Sequence, residues 1–149
     1  MYPRLVPPPP AGLPIGLHLT RTARLVSRAF DDALAGAGGS VPVWLILISL
    51  KTQWLANQRK LAEAIGIQGA TLTHHLNSME RGGLLTRRRD PDNRRIHVVD
   101  LTEKGERMFH RLRETAIAFD RRLRADLADE DIAVFERVLA KLAENVQGG

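Results

Sequence analysis

The chain has 149 residues, 44% of them hydrophobic, and its 22 Lys and Arg against 17 Asp and Glu give a formal net charge of +5. This length and composition fit one soluble globular domain with helical extensions. Because the chain has no cysteine, it excludes disulfides, thiolate catalysis and thiol-based oxidant sensing. No segment is apolar enough to span a membrane, and the N-terminus lacks a signal-peptide pattern, so we expect a cytoplasmic protein.

The positive charge is unevenly distributed. Residues 58–101 contain eight basic and five acidic side chains, whereas residues 102–149 contain nine basic and ten acidic ones. A modest, local positive patch suits a polyanion better than it suits an acidic small substrate.

The N-terminal residues 1–13 contain four consecutive prolines, which favour an extended arm that is either loose or lies on a partner subunit. Pro14 is well placed to start a helix over about 14–35, which ends at the GAGG of residues 36–39. GAGG is interpreted as a linker, because no strand precedes it and no lysine follows it. The apolar stripe of this helix has steps of four and three: Leu19, Ala23, Val26, Phe30 and Ala33.

The next apolar segment, VWLILISL after Pro42, is ambiguous. Periodicity alone does not separate strand from helix here, although the β-branched content favours a strand. Asn57 is a plausible N-cap for a short helix that carries Leu61 and Ile65 and ends at Gly66, a residue type that allows a sharp turn.

A second helix is predicted from about Gln68. Its apolar residues Leu72, Leu76 and Met79 recur at i, i+4 and i+7, so they share one face and leave a polar face free. Gly82 and Gly83 follow as a C-terminal stop. Two helices joined at Gly66 predict a helix-turn-helix.

A basic hairpin is predicted directly after this helix. LLTRRR and RRIHVVDL flank the turn cluster DPDN. Three consecutive arginines, with Arg94 and Arg95 around one short loop, would repel one another without an anionic partner. The helix alone could be an ordinary solvated amphipathic helix, but a helix followed by such a hairpin favours DNA binding.

Residues 65–105, IGIQGATLTHHLNSMERGGLLTRRRDPDNRRIHVVDLTEKG, resemble the winged helix-turn-helix core of the MarR family of bacterial transcription regulators. The family's wing pattern D-x-R-x-x-x-V-x-L-T-x-x-G falls on Asn93, Arg95, Val99, Leu101, Thr102 and Gly105. Asn93 stands where the family usually has Asp; an amide can hydrogen-bond an arginine but cannot form the ion pair. The resemblance extends over nearly the whole chain after about Pro14, and it implies that VWLILISL is a buried helix.

The C-terminal part predicts two further helices. Thr102 can cap the first and Asp129 the second. Each has an apolar stripe with steps of three and four, which favours a helical dimer interface; the stripes are Phe109, Leu112, Ala116, Phe119 and Leu123, and then Ile132, Phe135, Leu139, Leu142 and Val146.

The predicted fold is therefore mainly α with a small β wing, in one domain over 14–149. Its winged helix-turn-helix core covers about 42–102, and dimerisation helices cover about 14–35 and 102–147. We expect a homodimeric transcription regulator that binds double-stranded DNA. It would act as a repressor at a near-palindromic operator, from which a small ligand releases it. The alternative is a ligand- or metal-binding adaptor that keeps the fold without operator binding. An enzyme is not expected, because no nucleophile and base can be paired.

The expected DNA contacts come from the second helix and the hairpin loop. Arg94 and Arg95 would reach the minor groove or its phosphates. The residues expected to face the major groove are Gln68, Ala70, Thr71, Thr73, His74 and His75.

Neither a metal nor a cofactor is expected. His74 and His75 are neighbours in a helix and so point about a hundred degrees apart, and no H-E-x-x-H motif occurs. His18 and Arg21 share a face of the first helix. The resemblance implies that this helix and the one with Trp44 border a pocket for a small aromatic or phenolic acid. The alternative is that Trp44 belongs to the core and Arg21 to the surface.

Overall fold

The computed structural model describes residues 12–52, 58–95 and 97–148. Within these ranges six helices and one two-stranded antiparallel sheet, which lies between α4 and α5 in the chain, form the structure, so the predicted fold class is confirmed. Asn57 and most of the proline-rich arm lie outside the described residues. The elements are α1 (Ile15–Gly36), α2 (Val41–Thr52), α3 (Gln58–Ile65), α4 (Gly69–Arg81), β1 (Leu85–Arg89), β2 (His97–Leu101), α5 (Glu103–Leu123) and α6 (Asp129–Gln147).

Helix α2 is the centre of the core. Its residues Trp44, Ile46 and Leu47 are buried together with Leu34 of α1 and Leu112 of α5. Because α2 packs against several neighbours, it has no wide polar face and therefore no helical periodicity in its sequence. The β-branched residues favoured a strand here, and that interpretation is wrong. The buried helix that the resemblance implied is confirmed.

The helix-turn-helix forms as the glycines predicted. Gly66 has φ 77° in the turn between α3 and α4, a left-handed conformation that glycine adopts without strain. Gly83, also at φ 77°, ends α4. Leu72, Leu76 and Met79 of α4 are buried, as their spacing predicted.

The wing is the hairpin of β1 and β2, in which Leu85 pairs with Leu101 and Arg89 with His97. The second strand begins at His97 rather than at Arg94, because Arg94 and Arg95 belong to the turn.

One of the two C-terminal helix caps was predicted correctly. Thr102 caps α5, since its Oγ1 accepts a hydrogen bond from the Gly105 N–H at 3.1 Å. For α6 the expectation is wrong, because Ala128 is the N-cap and Asp129 is the first helical residue. The Asp131 carboxylate accepts from the Ala128 N–H at 3.2 Å, so an acidic side chain still satisfies this helix start.

Helices α1 and α5 pack along each other, with the rings of Phe30 and Phe119 5.0 Å apart. In contrast, α6 buries none of its residues within the chain. In the described part of the chain, no individual helix has the length and apolar character to cross a membrane. Only α1 and α2 taken together, at an angle of 78°, meet that criterion by length and composition.

Candidate nucleic-acid interface

Helix α4 offers one open face to a partner. Its other face is anchored by Leu72, Leu76 and Met79. Among the predicted contacts, Thr73 and His75 are half-buried, and the Thr73 hydroxyl donates to the Gly69 carbonyl at 2.9 Å. The exposed ones are Gln68, Ala70, Thr71 and His74.

The wing loop is held by side chains that accept hydrogen bonds from its backbone. Asp90 Oδ1 accepts from the N–H of Asp92 at 2.8 Å and from that of Asn93 at 3.3 Å. Asn93 Oδ1 accepts from the Arg95 N–H at 3.2 Å. The side-chain amide of Asn93 therefore contacts the backbone of Arg95 and does not engage the Arg95 guanidinium. Arg94 and Arg95 are exposed, and neither makes an ion pair with a described residue.

The three consecutive arginines of β1 have different surroundings. Arg88 Nε lies 3.2 Å from Asp100 Oδ2 on the neighbouring strand. Arg87 pairs with Glu80 of α4, its Nη2 lying 3.2 Å from Glu80 Oε1. Arg89 is exposed and has no ion-pair partner among the described residues. The inference that all three need an external anion is therefore wrong, because two of them have carboxylates within the chain.

The contact of Arg87 with α4 was missed from the sequence. Besides the ion pair, the Arg87 N–H donates to Glu80 Oε2 at 2.9 Å, and Nη2 donates to Asn77 Oδ1. The side-chain hydrogen bond from Arg87, supported by this backbone bond, holds the pKa of the Glu80 carboxyl below its ordinary value. The only sequence signal is that Asn77 and Glu80 share a helix face at i, i+3.

The C-terminal end of α4 is also bound to the start of α5. Lys104 Nζ donates to the Gly82 carbonyl at 2.7 Å, and Thr102 Oγ1 donates to the Gly83 carbonyl at 2.6 Å. The Thr102 N–H donates to the Leu84 carbonyl at 3.1 Å. These bonds satisfy carbonyls at the helix end and join α4 to a helix that also packs on α1 and α2.

The two histidines of α4 have ring centroids 5.7 Å apart. Among the described residues, no group of three or more His, Asp or Glu side chains is arranged to hold a metal ion.

The three residues expected to bind a ligand are not brought together. His18 lines a cavity of about 230 Å³ between α1 and α6, whereas Trp44 lines one of about 430 Å³ between α2 and α5. Arg21 is exposed and lines neither cavity. His18 and Trp44 lie on helices that meet at 78°, an angle that helix periodicity does not predict.

The cavity between α2 and α5 contains polar residues that the sequence did not single out. Trp44 stacks on Phe109, with ring centroids 5.9 Å apart and planes at 14°. Arg113, Arg121 and Asp120 also line this cavity; the Asp120 carboxylate pairs with Arg124 at 2.7 Å, whereas neither of the two lining arginines has an ion-pair partner among the described residues. This combination can accommodate a planar molecule with a negative charge.

Comparison with known proteins identifies relatives with this architecture. The model of the MarR family matches residues 40–97. An uncharacterised HTH-type transcriptional regulator of Bacillus subtilis, YwoH, is 26% identical over 121 residues, which are 81% of this chain and 88% of that protein.

Two solved regulators cover most of the chain. The PcaV transcriptional regulator of Streptomyces coelicolor, solved with its natural ligand, is 25% identical with a TM-score of 0.74, covering 90% of this chain and 97% of PcaV. The transcriptional repressor CouR of Rhodococcus jostii, bound to a 23-mer DNA duplex, is 26% identical with a TM-score of 0.76, covering 87% of this chain and 92% of CouR. CouR has also been solved with p-coumaroyl-CoA.

Proposed function

Because the chain belongs to the MarR family of transcription regulators, we propose that it represses transcription by binding a near-palindromic operator as a homodimer, and that a small ligand releases it. Chromosomal DNA as the partner makes the cytoplasm the proposed site of action. The domain spans 14–149, with the DNA-binding core at about 42–102 and dimerisation helices at about 14–35 and 102–147.

The observation that carries the DNA proposal is the contrast between the two faces of α4. One face is anchored in the core, and the other presents Thr71 and His74 beside a wing whose Arg94 and Arg95 have no anionic partner. A polar helix face suits base edges in the major groove, and unpaired arginines suit phosphates or the minor groove. Gln68, Ala70, Thr73 and His75 complete the proposed base-reading set.

The proposal is tested by selecting bound fragments from genomic DNA and comparing them with random duplexes across salt concentrations. We expect preference for the selected fragments. Arg95→Ala should weaken binding by roughly 1 to 3 kcal/mol. It should also lower by about one the salt slope, which is the steepness with which the logarithm of the binding constant falls with the logarithm of the salt concentration. Arg28→Ala on α1 is the matched control, and it should leave both quantities unchanged. Binding without sequence preference at any salt would support the adaptor alternative.

The homodimer proposal rests on apolar surface that one chain leaves uncovered. Ile15 and Leu19 of α1 and Phe135 and Val138 of α6 are exposed and line one cavity. Contiguous apolar side chains on two neighbouring helices are typical of an interface with a second copy. A two-fold dimer would present two α4 helices to the two halves of a near-palindromic site.

We place the ligand in the cavity between α2 and α5. An aromatic or phenolic acid would find the Trp44 and Phe109 rings on one side and the guanidinium groups of Arg113 and Arg121 for its carboxylate. The ligand-bound relatives PcaV and CouR support a ligand-responsive regulator. His18 and Arg21 are not required at this position.

A panel of hydroxybenzoates and hydroxycinnamates tests the ligand proposal by thermal shift and by release of bound DNA. An active compound at about 100 times its Kd should raise the free energy of unfolding by about 2.7 kcal/mol. Arg113→Gln should weaken this response, whereas His18→Ala, in the other cavity, should not. Loss of the response in His18→Ala alone would place the ligand between α1 and α6 instead.

A further inference from the structure

We propose that Arg87 is a positioning residue for DNA recognition: together with Asn77 and Glu80 it fixes the orientation of the wing relative to α4 and makes no phosphate contact. The three residues and their hydrogen bonds are called the Glu80–Arg87 link. This inference rests on the proposed operator binding and assigns separate roles to arginines that look alike in the sequence.

The alternation of side chains along β1 places Arg87 on the inner face of the wing. It shares that face with Leu85, which is buried, whereas Thr86 and Arg88 point to the other face and are exposed. The Arg87 side chain is only 15% exposed. The contacts of its side chain with Asn77 and Glu80 show that Arg87 points toward α4.

The Glu80 carboxylate holds both the backbone and the side chain of β1. Oε2 accepts from the Arg87 N–H at 2.9 Å, and Oε1 lies 3.2 Å from Arg87 Nη2, which also donates to Asn77 Oδ1. A charge-assisted pair with an additional backbone bond restrains rotation as well as distance. The link spans the turn at Gly82 and Gly83, the point at which the wing could otherwise pivot relative to α4.

The guanidinium of Arg87 is not available to DNA in this arrangement. Its Nη2 is occupied by two acceptors, and its Nε is shielded from solvent without a hydrogen-bond partner among the described residues. To reach a phosphate, Arg87 would have to break from Glu80 and leave that carboxylate facing the DNA. Like charges in proximity oppose such a movement.

The two possible roles of Arg87, positioning the wing or contacting phosphate, predict opposite changes in DNA affinity for Glu80→Ala. If Arg87 contacted phosphate, removing Glu80 would free a cation and remove an anion, so DNA binding would tighten. If the link positions the wing, Glu80→Ala weakens binding although it removes negative charge. Glu63→Ala on α3 is the matched control, because it removes the same charge from the helix-turn-helix at a residue whose ion pair is with Arg59 of α3 and not with the wing.

The experiment measures fluorescence anisotropy with a short labelled duplex recovered from fragmented genomic DNA by the parent protein, and with a random duplex, over a range of salt. We expect Glu80→Ala and Arg87→Met each to weaken binding of the recovered duplex by about tenfold. The salt slope should not change, and the double variant should bind no more weakly than either single variant. A slope lowered by about 0.9 in Arg87→Met, or tighter binding by Glu80→Ala than by Glu63→Ala, overturns the inference.

Hydrogen exchange without DNA separates failure of this inference from failure of the proposed function. Amides of β1 and β2 should exchange faster in Glu80→Ala and Arg87→Met than in the parent or Glu63→Ala, while thermal unfolding confirms that each variant is folded. Unchanged exchange overturns the link. A parent that does not distinguish the recovered from the random duplex overturns operator binding, whatever the wing amides show.

Discussion

Gly105 shows how one residue of the wing pattern is required by packing rather than by DNA. A Cβ added to it would lie 2.0 Å from the Leu84 carbonyl oxygen and 3.2 Å from a side-chain carbon of Leu101. The first contact is with backbone, which cannot move aside as a flexible side chain can. The first turn of α5 therefore lies close against the segment that follows α4, where Thr102 and Lys104 also bind.

We expect Gly105→Ala to destabilise the fold by about 3 kcal/mol, because the close approach of α5 to Leu84 would be lost. Gly36→Ala in α1 is the control, since a Cβ there meets nothing within 4 Å; it should change stability by less than about 1 kcal/mol. Urea unfolding of both variants measures this difference. Equal stabilities for the two would contradict the packing described at Gly105.

Between elements, the Glu80–Arg87 link and the bonds from the start of α5 hold α4 from two directions. Arg87 joins α4 to β1, and Lys104 and Thr102 join the end of α4 to α5. Because α5 also lines the cavity with Trp44, a molecule bound there would contact a helix that is hydrogen-bonded to the end of α4, the helix proposed to read DNA. A shift of α5 would be transmitted to α4 through these bonds.

The link also predicts a pH dependence of stability. The Arg87 side chain lowers the pKa of Glu80 in the folded protein, so the folded state binds a proton at Glu80 less readily than the unfolded state. The stabilisation is therefore fully present above the ordinary pKa of 4.5 and is lost as the pH falls through the lowered folded value. We expect the parent to be more stable than Glu80→Gln at neutral pH, with the difference shrinking in acid. Urea unfolding from neutral to acidic pH tests this; a constant difference would show that the charge of Glu80 is not coupled to folding.

For the whole molecule, the exposed apolar surface of α6 is the feature that predicts association with a second copy. Its Phe135 is 58% exposed and its Val138 is 43% exposed, and the cavity that they line with α1 is otherwise apolar apart from His18 and Thr22. One chain therefore leaves a stripe of hydrophobic residues in contact with water. A second copy would cover it.

We expect Phe135→Asp to raise the dimer dissociation constant by more than about 100-fold, because association would bury an unpaired carboxylate. The exposure of Phe135 in the single chain means that the protomer should still fold. Ala133→Asp, which introduces the same charge outside the apolar stripe, is the control. Analytical ultracentrifugation over a dilution series measures the difference, and a Phe135→Asp variant as dimeric as the control would refute this interface.

Local patterns in the sequence were sufficient to predict α1, α4, α5 and α6, because the helical repeat of apolar residues depends only on neighbours along the chain. The glycines at Gly66 and Gly83 likewise marked their turns, since φ is a local property. The central helix α2 lacks a polar face. Its sequence pattern alone therefore did not separate helix from strand, and only its packing against other helices decided between them. Tertiary packing decided which carboxylates Arg87 and Arg88 meet and in which cavities Trp44 and His18 lie. Those relations join residues far apart in sequence, and they depend on helix crossing angles and on the path of each turn, which composition and periodicity do not specify.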